Sequence, residues 1–164
     1  MAGKVKAIPD GMHTLTTHLV VQGAAKAIEF YQKAFGAQTK DVHKMPDGKV
    51  MHAELKFGDS TLMLADEITG MGTCTSPKTL GGTTFSLYLL SENVDQLFAQ
   101  AVAAGATVLM PLANQFWGDR YGQVKDPFGH MWALAQHVED VAPEEMERRG
   151  REMFAQMAQT AGKR

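Results

Sequence analysis

The sequence predicts an α+β fold in which one structural unit, βαβββ, is used twice. The first observation is an internal repeat, because residues 17–39 align without a gap on residues 86–108, 69 positions further along the chain. The second is that both copies show an apolar strand, a polar break, an amphipathic helix and a Gly-Ala step into a new strand. With 164 residues, of which 45% are hydrophobic, the chain can bury the core of a single domain.

The first unit, residues 13–65, begins with an apolar strand at residues 17–21 and continues into a helix. Apolar side chains keep helical spacing up to Phe35, and Gly36 then provides the left-handed residue that ends a helix. Pro46-Asp47-Gly48 and Gly58-Asp59 are turn signals between apolar-polar alternating segments. The predicted elements are a helix at Ala24–Phe35 and strands at Gln38–Lys44, Val50–Phe57 and Thr61–Ala65.

The second unit, residues 83–137, repeats this order less regularly. Asn93 followed by Gln96 resembles a capping box, and Gly105 marks the end of the helix. A further turn is expected at residues 126–129. The predicted elements are a strand at residues 86–90, a helix at Val94–Ala104, and strands at Thr107–Met110, Gly122–Lys125 and Met131–His137.

Two segments lie outside the repeated units. Residues 66–82 are rich in Gly, Thr and Ser without periodicity, which indicates a linker or lid. Residues 142–160 form a predicted C-terminal helix, in which Pro143 and two acidic residues suit a helix start. The whole chain is therefore predicted to be one domain with an added helix.

Composition excludes several function classes. A formal net charge of −2 and a pI near 6.3 provide no basic surface for nucleic acid. The single cysteine, Cys74, excludes an intramolecular disulfide framework and a Cys-rich zinc module, and we interpret it as an incidental thiol. No run of about 18 apolar residues is present, so we expect no membrane partner and a cytoplasmic protein.

Three sequence strings carry a resemblance to a known family. They are FWGDRYG at residues 116–122, DPFGH at 126–130 and the EDV-PEEM pattern at 139–146, together with AIEFYQKAFGA at 27–37. With paired βαβββ units, they resemble the vicinal oxygen chelate superfamily of glyoxalases, bleomycin-resistance proteins and dioxygenases, and within it the PhnB-like branch. The resemblance implies a curved eight-stranded mixed sheet around a central cavity, and a homodimer.

The same resemblance implies where a metal would be bound. Metal-using members place one ligand on the first and one on the fourth strand of each unit. The repeat assigns these positions to Thr17, Leu64, Ser86 and Ala133. These side chains cannot build a high-affinity divalent site, so no cofactor is expected. The alternative is a displaced divalent metal held by His18, His52 and Glu54.

A polar strand face provides candidate catalytic residues. Strict alternation at residues 51–57 places His52, Glu54 and Lys56 on one face and apolar residues on the other. His52 would be a general base and Glu54 its orienting carboxylate. The alternative is an ordinary half-solvated strand face.

A second group provides a candidate ligand pocket with aromatic walls and one cationic anchor, Arg120. The alternative is that the aromatic residues belong to the core and Arg120 pairs with Asp119 or Asp126. His130 and His137 are interpreted as a residue at the start of a strand and as a solvated residue at a strand edge. The predicted pocket residues are Ser86, Tyr88, Phe116, Trp117, Arg120 and Tyr121.

Three functions remain open from the sequence. The first is metal-independent binding of a small aromatic or anionic molecule in the cavity between the units. The second is a lyase, isomerase or oxygenase of the same superfamily that uses a displaced metal or His52 and Glu54. The third is a dimerising scaffold without a ligand, if Leu64, Met63 and Trp132 fill the cavity. The sequence leaves the identity of the ligand open.

Overall fold

A computed structural model describes residues 5–68, 70 and 74–161. In this part of the chain, eight strands and four helices follow one another in two βαβββ modules and a C-terminal helix. The first module contains β1 (Thr17–Val21), α1 (Ala24–Phe35), β2 (Gln38–Lys44), β3 (Val50–Phe57) and β4 (Ser60–Asp66). The second contains β5 (Ser86–Leu90), α3 (Val94–Ala103), β6 (Thr107–Asn114), β7 (Asp119–Lys125) and β8 (Met131–His137). Between the modules lies α2 (Pro77–Leu80), and α4 (Pro143–Ala161) follows them.

The strands form two mixed sheets with the same topology. The first sheet has the order β1-β4-β3-β2 and the second β5-β8-β7-β6. β1 pairs with β4 in parallel, as β5 does with β8, and the other neighbours are antiparallel. The predicted α+β class and the paired modules are confirmed. The eight strands are divided between two four-stranded sheets, with β1 and β5 each at an edge.

The helices form where the sequence predicts them. α1 has the predicted bounds, and Gly36 ends it in the left-handed conformation at φ 68°. α3 starts at the predicted cap, where the Asn93 side chain accepts a hydrogen bond from the backbone N–H of Gln96. The short helix α2 was not predicted. It lies within the segment predicted as a linker, of which residues 69 and 71–73 are outside the described residues.

One hydrophobic core serves both modules. It contains Leu19 and Leu64 of the first sheet together with Val124 and Leu134 of the second. The ring of Phe35 in α1 lies 4.5 Å from that of Trp132 in β8, between ring centroids. Each sheet therefore turns its packed face toward a common interior.

The opposite face of each sheet points away from this core, because side chains alternate along a strand. The first open face carries His18, His52, Glu54 and Met63. The second open face carries Tyr88, Asp119, Tyr121, Ala133 and His137. Within one chain the two open faces do not enclose a common cavity, contrary to the expectation from the resemblance.

The repeat has a different register from the ungapped alignment. β1 and β4 pair Leu19 with Leu64, whereas β5 and β8 pair Leu89 with Leu134. Leu89 therefore occupies the place of Leu19, one residue later than the ungapped alignment assigns. Because side chains alternate along a strand, a shift of one residue in the alignment moves each side chain from the packed face to the open face, or the reverse. Thr17 and Ser86 are accordingly not equivalent positions.

The C-terminal helix α4 packs against the second module. Its Gly150 is buried, and a side chain there would meet the Phe116 ring at 3.3 Å. The Arg149 guanidinium donates two hydrogen bonds, of 2.9 and 2.8 Å, to the Glu139 carboxylate. Farther along the helix, the side chains of Phe154 and Met157 are exposed. No helix in the described ranges is long and apolar enough to cross a membrane.

Candidate functional site on the second open face

Three aromatic side chains are grouped on and beside the second open face. The ring of Tyr121 lies 5.8 Å from that of Tyr88 and 5.5 Å from that of Trp117, between centroids. Tyr88 is 52% exposed, and the side chains of Trp117 and Tyr121 are half-buried. These three predicted pocket residues are therefore brought together on a surface that a ligand can reach.

The carboxylate of Asp119 holds this aromatic group in place. Its Oδ2 atom accepts hydrogen bonds from the Tyr88 hydroxyl at 2.8 Å and from the indole N–H of Trp117 at 3.0 Å. Burial acts to raise the pKa of Asp119, but the hydrogen bonds from His137, Tyr88 and Trp117 outweigh it and keep the pKa below its usual range. The group at the centre of the site is therefore a carboxylate at neutral pH.

His137 completes the network between two carboxylates. Its Nδ1 lies 2.9 Å from Asp119 Oδ1, and its Nε2 lies 2.9 Å from Asp140 Oδ1. Only the imidazolium can donate from both nitrogens at once. The hydrogen bond to Asp140, followed by that to Asp119, raises the pKa of His137. His137 is therefore an exposed histidine that two carboxylates orient and whose protonated form they favour.

The tyrosine at the edge of the site remains a neutral phenol. Burial and the hydrogen bond to Asp119 raise the pKa of Tyr88 to about 12. Tyr121 is oriented separately, because the side-chain amide of Gln123 donates a hydrogen bond to its hydroxyl at 2.6 Å. Both phenols are thus fixed by neighbours before a ligand arrives.

A tight turn positions Trp117 beside the sheet. Gly118 has φ 97°, and a Cβ atom at this position would lie 2.1 Å from the backbone oxygen of Glu139. The Gly118 carbonyl also accepts hydrogen bonds from the backbone N–H groups of Val138 and Glu139 at 3.0 Å. Only glycine combines this backbone conformation with this close approach.

Of the remaining predicted pocket residues, Arg120 lies apart from the aromatic group and Phe116 lies behind it. Arg120 follows Asp119 on β7 and therefore projects to the packed face, where its guanidinium donates hydrogen bonds of 2.5 and 2.7 Å to Asp95 of α3. The prediction of a cationic anchor was wrong for this reason. The Phe116 ring packs edge-on against Trp117, with 5.1 Å between centroids, and also lies 6.4 Å from the Phe154 ring, so it joins the aromatic group to α4.

The remaining predicted pocket residue, Ser86, is on the same face as Tyr88 but at the start of β5. It lines the cavity beside this edge strand. Sequence reasoning missed Asp119, His137 and Asp140 as members of the site. Asp119 could have been found from the sequence, because it is two residues from Tyr121 on the same predicted face of a strand. His137 and Asp140 could not, because only the tertiary fold brings β8 and the loop after it next to Asp119.

The first open face contains the predicted acid-base pair in a looser arrangement. His52 Nε2 and Glu54 Oε1 are 3.8 Å apart, beyond hydrogen-bond length, and Glu54 Oε2 accepts instead from Lys40 Nζ at 3.3 Å. Burial, followed by the charge of His52, lowers the pKa of His18. Catalysis by His52 and Glu54 stays a prediction.

Comparisons with known proteins place the chain in a family. Residues 12–134 match the model of the glyoxalase/bleomycin resistance protein/dioxygenase superfamily. The chain belongs to this superfamily. A protein of Mycobacterium bovis is 47% identical over 135 residues, which cover 81% of this chain and 89% of the relative.

Solved structures of superfamily proteins have a similar fold. TioX from Micromonospora sp. ML1 is 25% identical with a TM-score of 0.62, over 77% of this chain and 99% of that one. A PhnB protein from Bacillus cereus is 24% identical with a TM-score of 0.59, over 76% and 99%. The predicted relation to the superfamily and its PhnB-like members is confirmed.

The resemblance points to the first and fourth strands of each module for a metal, and the side chains on their open faces can be tested for fit. On the open faces, the pairs in register between the first and fourth strands are His18 with Met63 and Tyr88 with Ala133. One imidazole, a thioether, a phenol and a methyl group do not fit a divalent metal. Thr17 and Leu64, the positions predicted from the repeat, lie on the packed side instead, and Leu64 has 0% exposure.

The displaced metal site is likewise not assembled within one chain. Across the described ranges, no three His, Cys, Asp or Glu side chains are grouped closely enough to hold a metal ion. His18, His52 and Glu54 share the first open face but do not form such a group. The donor set therefore does not fit a metal, and we derive no chemistry through one.

Proposed function

We propose that this superfamily member binds a small planar aromatic molecule on its second open face and does so without a metal. The observation that carries the proposal is the aromatic group of Tyr88, Trp117 and Tyr121 around Asp119. A ring that stacks on such a group gains about 0.5–1.5 kcal/mol per aromatic pair beyond the burial of its area. Because hydrogen bonds already fix Tyr88 and Trp117, their conformational entropy cost on binding is small.

The charges near the aromatic group favour a neutral or cationic ligand. Two carboxylates, Asp119 and Asp140, flank the single basic side chain of the network, His137. The nearest arginine on the strand, Arg120, pairs with Asp95 on the other face. An anionic ring would therefore meet a net negative surface. We assign the ligand to the aromatic class and not to the anionic one.

A homodimer is part of the proposal. The open faces leave large apolar side chains uncovered, among them Tyr88 at 52% and Leu90 at 65% exposure. A second copy that covers the second open face would convert a shallow surface into an enclosed pocket. Sedimentation velocity should then show a dimer, and Leu90→Lys should shift it to monomer. A wild-type protein that stays monomeric at high concentration would contradict this part.

Calorimetric titration with quinoline, a neutral planar probe, tests the binding function. Trp117→Leu and Tyr121→Leu should each weaken binding at least fivefold, because each removes a stacking partner. Phe154→Leu is the matched control, since this aromatic residue is exposed on α4 outside the site. Protein purified without a metal-affinity tag should bind quinoline equally with and without EDTA. Equal weakening by all three variants, or loss of binding in EDTA, would contradict the proposal.

A further inference from the structure

We propose that helix α4 positions the aromatic site through Arg149 and Gly150, a role that rests on the proposed binding function. The three stacking side chains lie outside this helix. Two intermediate residues, Glu139 and Phe116, connect the helix to the turn that carries Trp117. The orientation of the Trp117 ring, and with it the affinity for a planar ligand, therefore depends on where α4 lies.

The first connection passes through Glu139, in the loop between β8 and α4. Its carboxylate accepts hydrogen bonds of 2.9 and 2.8 Å from the guanidinium of Arg149. Its backbone N–H donates to the Gly118 carbonyl at 3.0 Å, and its backbone oxygen would lie 2.1 Å from a Cβ atom added at Gly118. Glu139 therefore joins α4 to the turn immediately after Trp117.

The geometry of the Arg149 guanidinium fixes the direction of this connection. Two of its nitrogens bind the Glu139 carboxylate, while its Nε donates to Glu145 of the same helix at 2.7 Å. The hydrogen bonds from Arg149 lower the pKa of Glu139, so the pair is charged at neutral pH. A planar guanidinium holds both carboxylate oxygens in one orientation, which an ammonium group cannot do. Arg149 therefore sets the direction of the loop relative to α4 as well as attracting it.

The second connection is a close contact between α4 and the ring of Phe116. Gly150 is buried, and a Cβ atom at this position would lie 3.3 Å from that ring. The Phe116 ring packs edge-on against Trp117, with 5.1 Å between centroids and 88° between planes. Absence of a side chain at Gly150 thus lets the helix approach Phe116 closely. A displacement of α4 would move Phe116 and the Trp117 ring packed against it.

The loop that Arg149 holds also carries part of the polar network. Asp140 follows Glu139 and lies 2.9 Å from His137 Nε2. The other nitrogen of His137 lies 2.9 Å from Asp119, the carboxylate that accepts from the Trp117 indole. Release of Glu139 from Arg149 would therefore loosen Trp117 from two directions, through the turn and through this network.

The helix can change position without unfolding the modules. Among its described residues, only Gly150 is buried, and the shared hydrophobic core contains residues of the two modules alone. Helices in proteins are stabilised mainly by tertiary packing, and weakly packed elements open locally. Substitutions at the contacts of α4 should therefore change the site while the modules stay folded.

Three substitutions distinguish positioning from general helix stability. Arg149→Gln removes the two hydrogen bonds to Glu139, and Arg149→Lys keeps the charge without the planar group. Gly150→Leu places a side chain against Phe116, although leucine favours a helix more than glycine does. The matched control is Arg151→Gln, because this exposed arginine pairs with Glu147 of the same helix.

The indole signals of the ¹H–¹⁵N spectrum report on the site before any ligand is added. Without ligand, we expect Arg149→Gln and Gly150→Leu to shift the Trp117 indole signal and Arg151→Gln to leave it in place. The indole of Trp132, which donates to buried Asp126, should be unchanged in all variants and shows that the modules are folded.

The second measurement is the affinity for quinoline, which should fall about threefold in Arg149→Gln and Gly150→Leu. Arg149→Lys should give an intermediate affinity, since it retains the attraction to Glu139 but not its direction. Coupling between two positions is reciprocal, so quinoline should slow amide hydrogen exchange in α4 of the wild-type protein by about the same factor. A helix with a merely structural role would not respond to the ligand.

Two results would overturn the proposal. The first is a Trp117 indole signal that is the same in Arg149→Gln, Gly150→Leu and the wild type. The second is an equal effect of Arg151→Gln, which would assign the change to helix stability. Failure of the wild-type protein to bind quinoline would contradict the proposed function, and the ligand-free Trp117 signal would then decide on the positioning role by itself.

Discussion

The Tyr31 hydroxyl of the first module donates a hydrogen bond of 2.8 Å to the Asp126 carboxylate of the second module. Tyr31 is 0% and Asp126 is 3% exposed. Asp126 also accepts from the Trp132 indole at 3.0 Å and from the backbone N–H groups of Phe128 and His130 at 2.9 Å. One buried carboxylate therefore joins the two modules and closes the turn before β8.

Asp126→Asn should destabilise the fold by about 2–4 kcal/mol. The amide places an N–H₂ group where the carboxylate accepts from neighbouring donors, so at least one buried donor loses its partner. Urea denaturation followed by circular dichroism measures the loss in free energy of unfolding. Glu92→Gln, an exposed acid before α3, is the control and should change it by less than about 0.5 kcal/mol. A near-neutral Asp126→Asn would show that the modules are joined by apolar contacts alone.

Gly118→Ala should cost at least about 2 kcal/mol and reduce ligand affinity. The new Cβ would lie 2.1 Å from the Glu139 oxygen, and the turn that carries Trp117 would have to move. Gly48→Ala is the matched control, because Gly48 has a similar φ of 86° with nothing within 4 Å of the new Cβ. Its cost should be only the backbone strain, about 1 kcal/mol. Equal costs for the two variants would refute the role of the close approach.

The contribution of His137 to stability should decrease as pH rises. Its folded-state pKa is raised above the value of about 6.5 expected for the unfolded chain. Protonated His137 therefore stabilises the fold fully below that pH, and the stabilisation disappears as the pH passes through the folded-state pKa. The difference in unfolding free energy between wild type and His137→Gln should shrink as the pH rises above about 6.5. Because the side chain is exposed to solvent, this difference should be small at every pH.

His13→Gln is the control for that pH series, because the His13 side chain is exposed. The loss of stability in His137→Gln should exceed that in His13→Gln at low pH. A difference for His137→Gln that grows with pH would contradict the assignment of an imidazolium between Asp119 and Asp140.

Arg120→Ala should leave quinoline affinity within about twofold of wild type. The guanidinium lies on the packed face with Asp95, away from Tyr121. Titration of 2-naphthoate, an anionic ring, provides the contrast: it should bind more weakly than quinoline because of Asp119. Tighter binding of 2-naphthoate than of quinoline, lost in Arg120→Ala, would restore an anionic ligand anchored by this arginine.

Most helices and strands could be predicted from the sequence, because periodicity and turn residues are local features of the chain. Helix α1 and strands β2, β3 and β8 have the predicted bounds, each defined by periodicity and turn residues. The register of the repeat was not predictable from the ungapped alignment, since α3 is shorter than α1 and one residue reverses a strand face. Tyr88, Trp117 and Tyr121 were named from local strand and cluster signals, whereas the pairing of Arg120 with Asp95 depends on how α3 packs against the sheet.

The most direct test of the central claim is a ¹H–¹⁵N titration of the labelled protein with quinoline, observed at its two indole signals. Binding at the aromatic group predicts that the Trp117 indole signal shifts to saturation, that the Trp132 indole signal does not shift, and that Tyr121→Leu removes the response. A shift confined to Trp132, or a Trp117 shift unchanged in Tyr121→Leu, would contradict binding at the aromatic group around Asp119.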